Sequence, residues 1–357
     1  MRLGIIGLPQ SGKTTLFNAL TRGSQPTGAA SSGRIEVHTA VVDVPDPRVD
    51  TLSAMFRPKK TIYAKVTYAD FAGLEGSAAK TGISGQLLNQ LTQMDGFIHV
   101  VRCFPDDEVP HPSGSVDPLR DITSMDAEFV LNDLIAVERK LERLAEEKKK
   151  GGGRDRALIE RETALFERLH AALSAEMPLR DVPISPEEEK LLAGFGFLSR
   201  KPVLVVLNTA EGQQPPALEY PHQHSLVVAL QCKLEMEIAQ LPPDEAELFL
   251  AEYGIEEPSL NRMIRLSYDL LGLQSFFTVG PDEVRAWTVR RGALAPEAAG
   301  EVHSDMQKGF IRAEVVSYED LVALGGLAEA RAKGKLRLEG KEYVVQDGDV
   351  ITIRFNI

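Results

Sequence analysis

Six runs rich in consecutive apolar residues punctuate the chain. They are "RLGII" from residue 2, "TAVVDV" from 39, "AKVTYADFAG" from 64, "GFIHVVRCF" from 96, "KPVLVVLN" from 201 and "HSLVVAL" from 224. Short and largely unbroken, such runs predict strands of an α/β sheet with helices on both faces. Between the fourth and fifth runs the period changes. Val130, Leu134, Val137, Leu141 and Leu144 are spaced 4, 3, 4 and 3, a heptad seam on one helix. Glycines 151–153 interrupt it, and Leu158, Leu165 and Leu169 mark a second helix. The pair predicts an antiparallel helical hairpin, a coiled-coil arm whose first helix projects roughly 35 Å. From about residue 279 short strands follow: "EVRAWTV", "FIRAEVV", "KLRL", "KEYVV" and "DVITIRFNI", with turn signals such as "QDGD" between them. Helical stretches are expected at 296–305 and 318–333. This reads as a compact mixed domain, a sheet wrapped over one helix.

The expected division is therefore a sheet domain at 1–125 and 200–278, a helical insertion at 126–199 and a C-terminal domain at 279–357. Composition narrows the function. A net charge of −12 argues against broad, charge-driven nucleic-acid binding. The hairpin tip nevertheless collects Lys148, Lys149, Lys150, Arg154 and Arg156, either a solvated turn or a contact surface for an acidic partner. Two cysteines, Cys103 and Cys232, exclude a disulfide framework and suit a reducing cytoplasm. No signal peptide is visible before the first strand. No apolar stretch approaches the roughly 20 residues of a membrane span.

The chemistry begins at the first strand. "GLPQSGKTT" satisfies the phosphate-loop pattern with Gly7, Gly12, Lys13 and Thr14. Glycines let backbone N–H groups turn inward around an anion, and the following helix adds the positive end of its dipole. Gly7, Pro9, Gln10, Ser11, Gly12, Lys13, Thr14 and Thr15 are thus the candidate phosphate binders. Lys13 would reach the β- and γ-phosphates, and the Thr14 hydroxyl would ligate Mg²⁺. "YADFAGL" adds Asp70 as a second metal ligand, through water, and the Gly73 amide for the γ-phosphate. "VVLNTAE" supplies Asn208 and Glu211 for the base, and Lys233 in "ALQCK" flanks it. His222 and His224 read as solvated, and Trp287 as core of the C-terminal domain.

These motifs, with "VPDPRVD", "EEPSLNRMIR", "FFTVGPDEVRAWTV" and "VQDGDVITIRFNI", resemble the YchF subfamily of Obg-like P-loop NTPases over essentially the whole chain. The resemblance implies a Ras-like nucleotide domain carrying a helical hairpin, and a C-terminal TGS domain of β-grasp fold. It implies Mg²⁺ as cofactor and the ribosome as partner. It also implies a preference for ATP over GTP, because Glu211 stands where an aspartate would hold guanine; one extra methylene disturbs that bidentate fit. Leu74 occupies the position of the water-orienting glutamine, and in the family a loop histidine, here His111, is thought to compensate. Three departures stand out: Arg34 at the position of the switch threonine, Gln10 for the usual asparagine, and an altered segment after Gly73. Two functions follow: a slow ATP-hydrolysing switch, or a nucleotide-gated ribosome-binding module with little or no hydrolysis.

Overall fold

The chain was analysed as a computed structural model, which describes residues 1–25, 36–72, 83, 85–150, 154–252, 255 and 257–356. In chain order the first half contains β1 (Arg2–Ile6), α1 (Lys13–Thr21), β2 (Glu36–Asp43), α2 (Pro47–Phe56), β3 (Lys60–Ile62) and β4 (Lys65–Ala72). It continues with α3 (Gly85–Thr92), β5 (Gly96–Arg102), α4 (Pro118–Lys150), α5 (Arg156–Ser174) and α6 (Pro186–Leu192). Next come β6 (Val203–Asn208), β7 (Ser225–Leu230), α7 (Cys232–Gln240), α8 (Pro243–Glu252) and α9 (Ser259–Leu270). The last part holds β8 (Leu273–Val279), β9 (Glu283–Arg290), α10 (Ala295–Val302) and α11 (Ser304–Lys308). It ends with β10 (Phe310–Ser317), α12 (Tyr318–Leu324), α13 (Leu327–Ala332), β11 (Arg337–Glu339) and β12 (Asp349–Phe355).

Packing separates two units: Met1–Ala40 with Thr67–Leu260, and Val41–Val66 with Asn261–Ile357. These units are not the three segments read from the sequence. The hairpin belongs to the first unit, and residues 41–66 go with the second.

The first unit is built on a six-stranded sheet of order β2-β4-β1-β5-β6-β7, with β1, β4, β5, β6 and β7 joined by parallel pairings. Every residue of β5 and β6 is buried, which is why their sequences are largely apolar without alternation. Phe97, Val101, Val205 and Leu207 pack against Ile122, Met125 and Phe129 at the root of α4. That helix begins twelve residues before Val130, the first residue of the heptad, because Asp117 caps the Arg120 amide (3.1 Å) and Pro118 occupies the first turn. At 33 residues it is about 50 Å long, not the 35 Å expected. Val130, Val137, Leu165 and Leu169 of the heptad faces are buried between α4 and α5, with Leu134 and Leu141 packed beside them. Asp133 anchors the hairpin: its carboxylate accepts from the Leu198 and Ser199 amides at 2.9 and 2.8 Å and from the Ser199 hydroxyl at 2.6 Å.

The second unit has a mixed sheet of order β11-β10-β12-β8-β9-β3. Ala295, Ala298 and Ala299 bring α10 close to Phe276, Val289, Phe310, Ala313 and Ile351 on one sheet face. Trp287 packs partly buried against this core, as the sequence suggested. "KEYVV" is not a strand: it makes one isolated bridge, Leu294 to Val344, and otherwise bonds the turn at 293–295. Its alternation is that of a segment packing one side against the core, not of a laddered strand.

Candidate functional site

The turn after β1 has backbone geometry that only its glycines fit. Gly7 has φ +147° and Gly12 φ +100°. A Cβ at Gly7 would lie 2.3 Å from the Val100 carbonyl oxygen, and one at Gly12 would lie 2.3 Å from Asn208 Nδ2. Gln10 is exposed and left-handed at φ 60°, a conformation in which asparagine is more at ease. Pro9 and Thr15 are half-buried beside the turn. Ser11 is buried and its Oγ has no partner. Lys13 opens α1, is buried, and donates from Nζ to the Leu8 carbonyl at 2.8 Å.

Asp70 approaches from β4, whose pairing sets Ile5 opposite Asp70. Thr14 Oγ1 donates to Asp70 Oδ2 at 3.0 Å, while Oδ1 is buried and unpartnered. Burial pushes the Asp70 carboxyl above its ordinary pKa, opposed by the Thr14 hydroxyl and by the charges of Lys13 and His38. A half-buried hydroxyl, a carboxylate with a spare oxygen and a glycine turn that leads into a helix fit a hydrated divalent cation carried by a triphosphate, which needs only one or two protein ligands. No cluster of three potential metal ligands occurs among the described residues.

Asn208, at the end of β6, joins this cluster from the far side. Its Nδ2 donates to the Ser11 carbonyl at 3.0 Å and its Oδ1 accepts from the Cys232 amide at 3.1 Å. One side chain therefore ties the phosphate loop to the start of α7. Glu211 and Lys233 lie exposed on the two flanking segments. Gly73, with Leu74 and Arg34, lies outside the described residues.

His111 is not the solvated loop residue its setting suggests. It is buried, and its Nε2 lies 3.0 Å from Asp121 Oδ2. Nδ1 accepts from the Ser113 amide at 3.2 Å, so the ring proton sits on Nε2 and is donated to Asp121. Arg120 holds the other Asp121 oxygen at 2.8 Å. Both ring nitrogens are thus occupied. Asp121, ten residues on, carried no motif that could have flagged it. Gln213 was also missed; it donates to the Cys103 carbonyl at 2.7 Å and bolts the loop after β5 to the loop after β6.

Elsewhere three of the tip cations are paired within the hairpin: Lys150 with Glu146, Arg156 with Glu160, and Arg154 with Glu147 and Glu162. His222, expected to be solvated, contacts Asp181 at 2.7 Å. Cys103 and Cys232 are free and buried. No helix among the described residues is long and apolar enough to cross a membrane.

Residues 2–149 match the family described as "50S ribosome-binding GTPase", and residues 273–356 match the C-terminal YchF GTPase family, "Protein of unknown function (DUF933)". The chain is 43% identical to the ribosome-binding ATPase YchF of Bacillus subtilis (strain 168), over 99% of this chain and 99% of that protein. It is 41% identical to the ribosome-binding ATPase YchF of Haemophilus influenzae, over 100% and 99%. The structure of the Schizosaccharomyces pombe YchF GTPase matches with a TM-score of 0.84 at 30% identity, covering 99% of this chain and 97% of that one. With a phosphate loop, an opposing Thr14–Asp70 pair and full-length identity of this order, the chain belongs to the YchF family of P-loop NTPases.

Proposed function

We propose that the protein is a cytoplasmic, ribosome-associated ATPase that requires Mg²⁺, tolerates GTP and turns over slowly. The observation that carries the reading is the Thr14–Asp70 pair, with its unpartnered Oδ1, facing the glycine turn that presents Lys13. Gly7, Pro9, Gln10, Ser11, Gly12, Lys13 and Thr15 bind the triphosphate, helped by the Gly73 amide, and Asn208, Glu211 and Lys233 border the base. Thr14 and Asp70 would hold Mg²⁺, which when bound neutralises charge building on the β- and γ-phosphates. The sheet domain, hairpin and TGS domain are taken to divide at 125, 199 and 278. Relatives named as ribosome-binding ATPases support the activity and the partner.

Slow turnover follows from His111. To orient or deprotonate water it must leave Asp121, breaking a buried pair. The same pair favours the second reading, a nucleotide-gated module with little hydrolysis. Single-turnover cleavage of labelled ATP and GTP separates the two. Slow ATP cleavage that disappears in His111→Ala supports the enzyme; Mg²⁺-dependent binding with no cleavage supports the module. On the ribosome side, replacing Lys148, Lys149 and Lys150 with serine should weaken co-sedimentation and flatten its salt dependence. Unchanged pelleting at every salt concentration would move the contact to the TGS domain.

A further inference from the structure

Strand β2 lies beside β4 in the first sheet, and three contacts fix its register. Just beyond the two strands, the Val44 amide donates to the Ala64 carbonyl at 2.8 Å. Across their facing ends, Lys65 Nζ meets Asp43 Oδ1 at 2.7 Å. Positions thus fall along β2 as they rise along β4, an antiparallel pairing that sets Val37 opposite Phe71 and His38 opposite Asp70. The third contact excludes a one-residue slip. Val37 packs against the core cluster that contains Phe71, and a slip would have turned it to the other face. His38 therefore shares the face of Asp70 and stands directly across from it, where facing Cβ atoms are about 5 Å apart. Its charge is felt there, since with Lys13 it opposes the effect of burial on the Asp70 carboxyl. At the same place Thr14 holds Asp70 Oδ2 at 3.0 Å, and Oδ1 has no partner.

We propose that His38 is a positioning residue for the bound cation, its imidazole holding a water of hydrated Mg²⁺ beside Asp70. The proposal rests on the nucleotide-site reading above. Mg²⁺ sheds water reluctantly and takes only one or two protein carboxylates, so much of its shell is held by outer partners. A metal-bound water donates hydrogen bonds, and an imidazole nitrogen can accept one. Outer partners of this kind orient the shell, and losing one typically costs about tenfold or more in metal affinity. Local sequence pattern gives His38 no motif; only the pairing of β2 with β4 brings it to Asp70.

The test measures ATP binding by titration calorimetry on the full-length chain, over a series of Mg²⁺ concentrations and in excess EDTA. Wild type, His38→Ala, His38→Gln and Asp70→Asn are compared. In His38→Ala the Mg²⁺ concentration that half-restores tight binding should rise about tenfold. Its weaker binding in EDTA should match the wild type, the sign of a folded phosphate loop. His38→Gln keeps a side-chain oxygen that accepts from water, and should recover most of the loss. A Mg²⁺ requirement that is the same in His38→Ala and wild type overturns the proposal. Equal losses with and without Mg²⁺ overturn it too, since they mark a purely structural side chain. If Asp70→Asn alone raises the requirement, only the role of His38 fails. If the wild type binds ATP equally with and without Mg²⁺, the nucleotide-site reading fails and the proposal falls with it.

Discussion

The two units of the chain treat their buried polar groups in opposite ways. Among the described residues, the buried side-chain atoms that lack a partner belong to Ser11, Asp70, Gln90, His99, Arg102, Glu128, Arg180 and Gln231. All lie in the first unit. In the second, the Tyr268 hydroxyl alone contacts the Gln274 carbonyl, Ser275 Oγ and Thr288 Oγ1 at 3.0–3.1 Å. Gln274 donates to the Val345 carbonyl at 2.6 Å, and Asp349 accepts from Tyr343 and Gln346. Charge divides too. The first unit has 22 Lys and Arg against 35 Asp and Glu; the second has 18 against 17. An interior that has closed all its hydrogen bonds is built to be stable and can meet partners only through its surface. In the first unit two of the open groups, Ser11 Oγ and Asp70 Oδ1, lie in or beside the glycine turn proposed to bind nucleotide, and the others are spread over strands, helices and the β7–α7 junction. The near-neutral second unit also lacks the acidic excess that would repel RNA.

The largest effect that sharpens this contrast should come from Lys13→Ala. Removing the buried ammonium that the proposed function sets on phosphate should cost about a hundredfold in ATP affinity, read by titration calorimetry, with the fold retained. Micromolar affinity surviving in that variant would break the contrast at its centre.

Of comparable size is a pH effect confined to the first unit. Burial holds the His99 imidazole down to about 4, against an ordinary 6.5. Between those values the unfolded chain binds the extra proton, so stability falls as pH drops from 6.5 to 4. Asp133 works the other way. Burial raises its carboxyl to about 6 from 3.8, so the folded chain is protonated first and gains stability as pH falls through 6. His99→Asn should remove only the first contribution. Relative to wild type it should gain up to about 3 kcal/mol between pH 7 and 4, measured by urea melts. A difference independent of pH would mean that His99 is not buried as a neutral ring.

Tyr268→Phe probes the second unit. Deleting the hydroxyl strands buried partners and should cost about 1–3 kcal/mol, visible in thermal melts, with ATP affinity unchanged. A large loss of ATP binding would show that the units are not functionally separable.

The smallest effect is at Gln10. Its left-handed backbone suits asparagine better, so Gln10→Asn should stabilise the chain by about 0.5 kcal/mol. Destabilisation instead would point to a contact made by the longer side chain.

Much of the sheet was legible because a strand buried on both faces is largely apolar, as β5 and β6 are apart from His99, Arg102 and Asn208. The edge piece β3 was not. Its three residues "KTI" are largely exposed, and they pair with β9, more than two hundred residues later. The glycine turn was legible at Gly7 and Gly12, whose φ of +147° and +100° and lack of room for a Cβ require glycine. The heptad announced the hairpin but not its root, where Asp117 and Pro118 start the helix early.

What the sequence determined by itself is therefore local: the glycine turn, the Lys13–Thr14 pair, the buried strands and the seam of the hairpin. Each depends on residues a few positions apart, within reach of backbone sterics and side-chain periodicity. Only the tertiary structure decided that Asn208 spends its amide on Ser11 and Cys232 while Gln231 keeps its oxygen free. It also decided that His111 is buried on Asp121 and that Asp133 holds the loop at 198–199. These commitments join segments that the chain brings together only on folding. A side chain's hydrogen bonds depend on which partners burial brings within about 3 Å, and no local pattern records that.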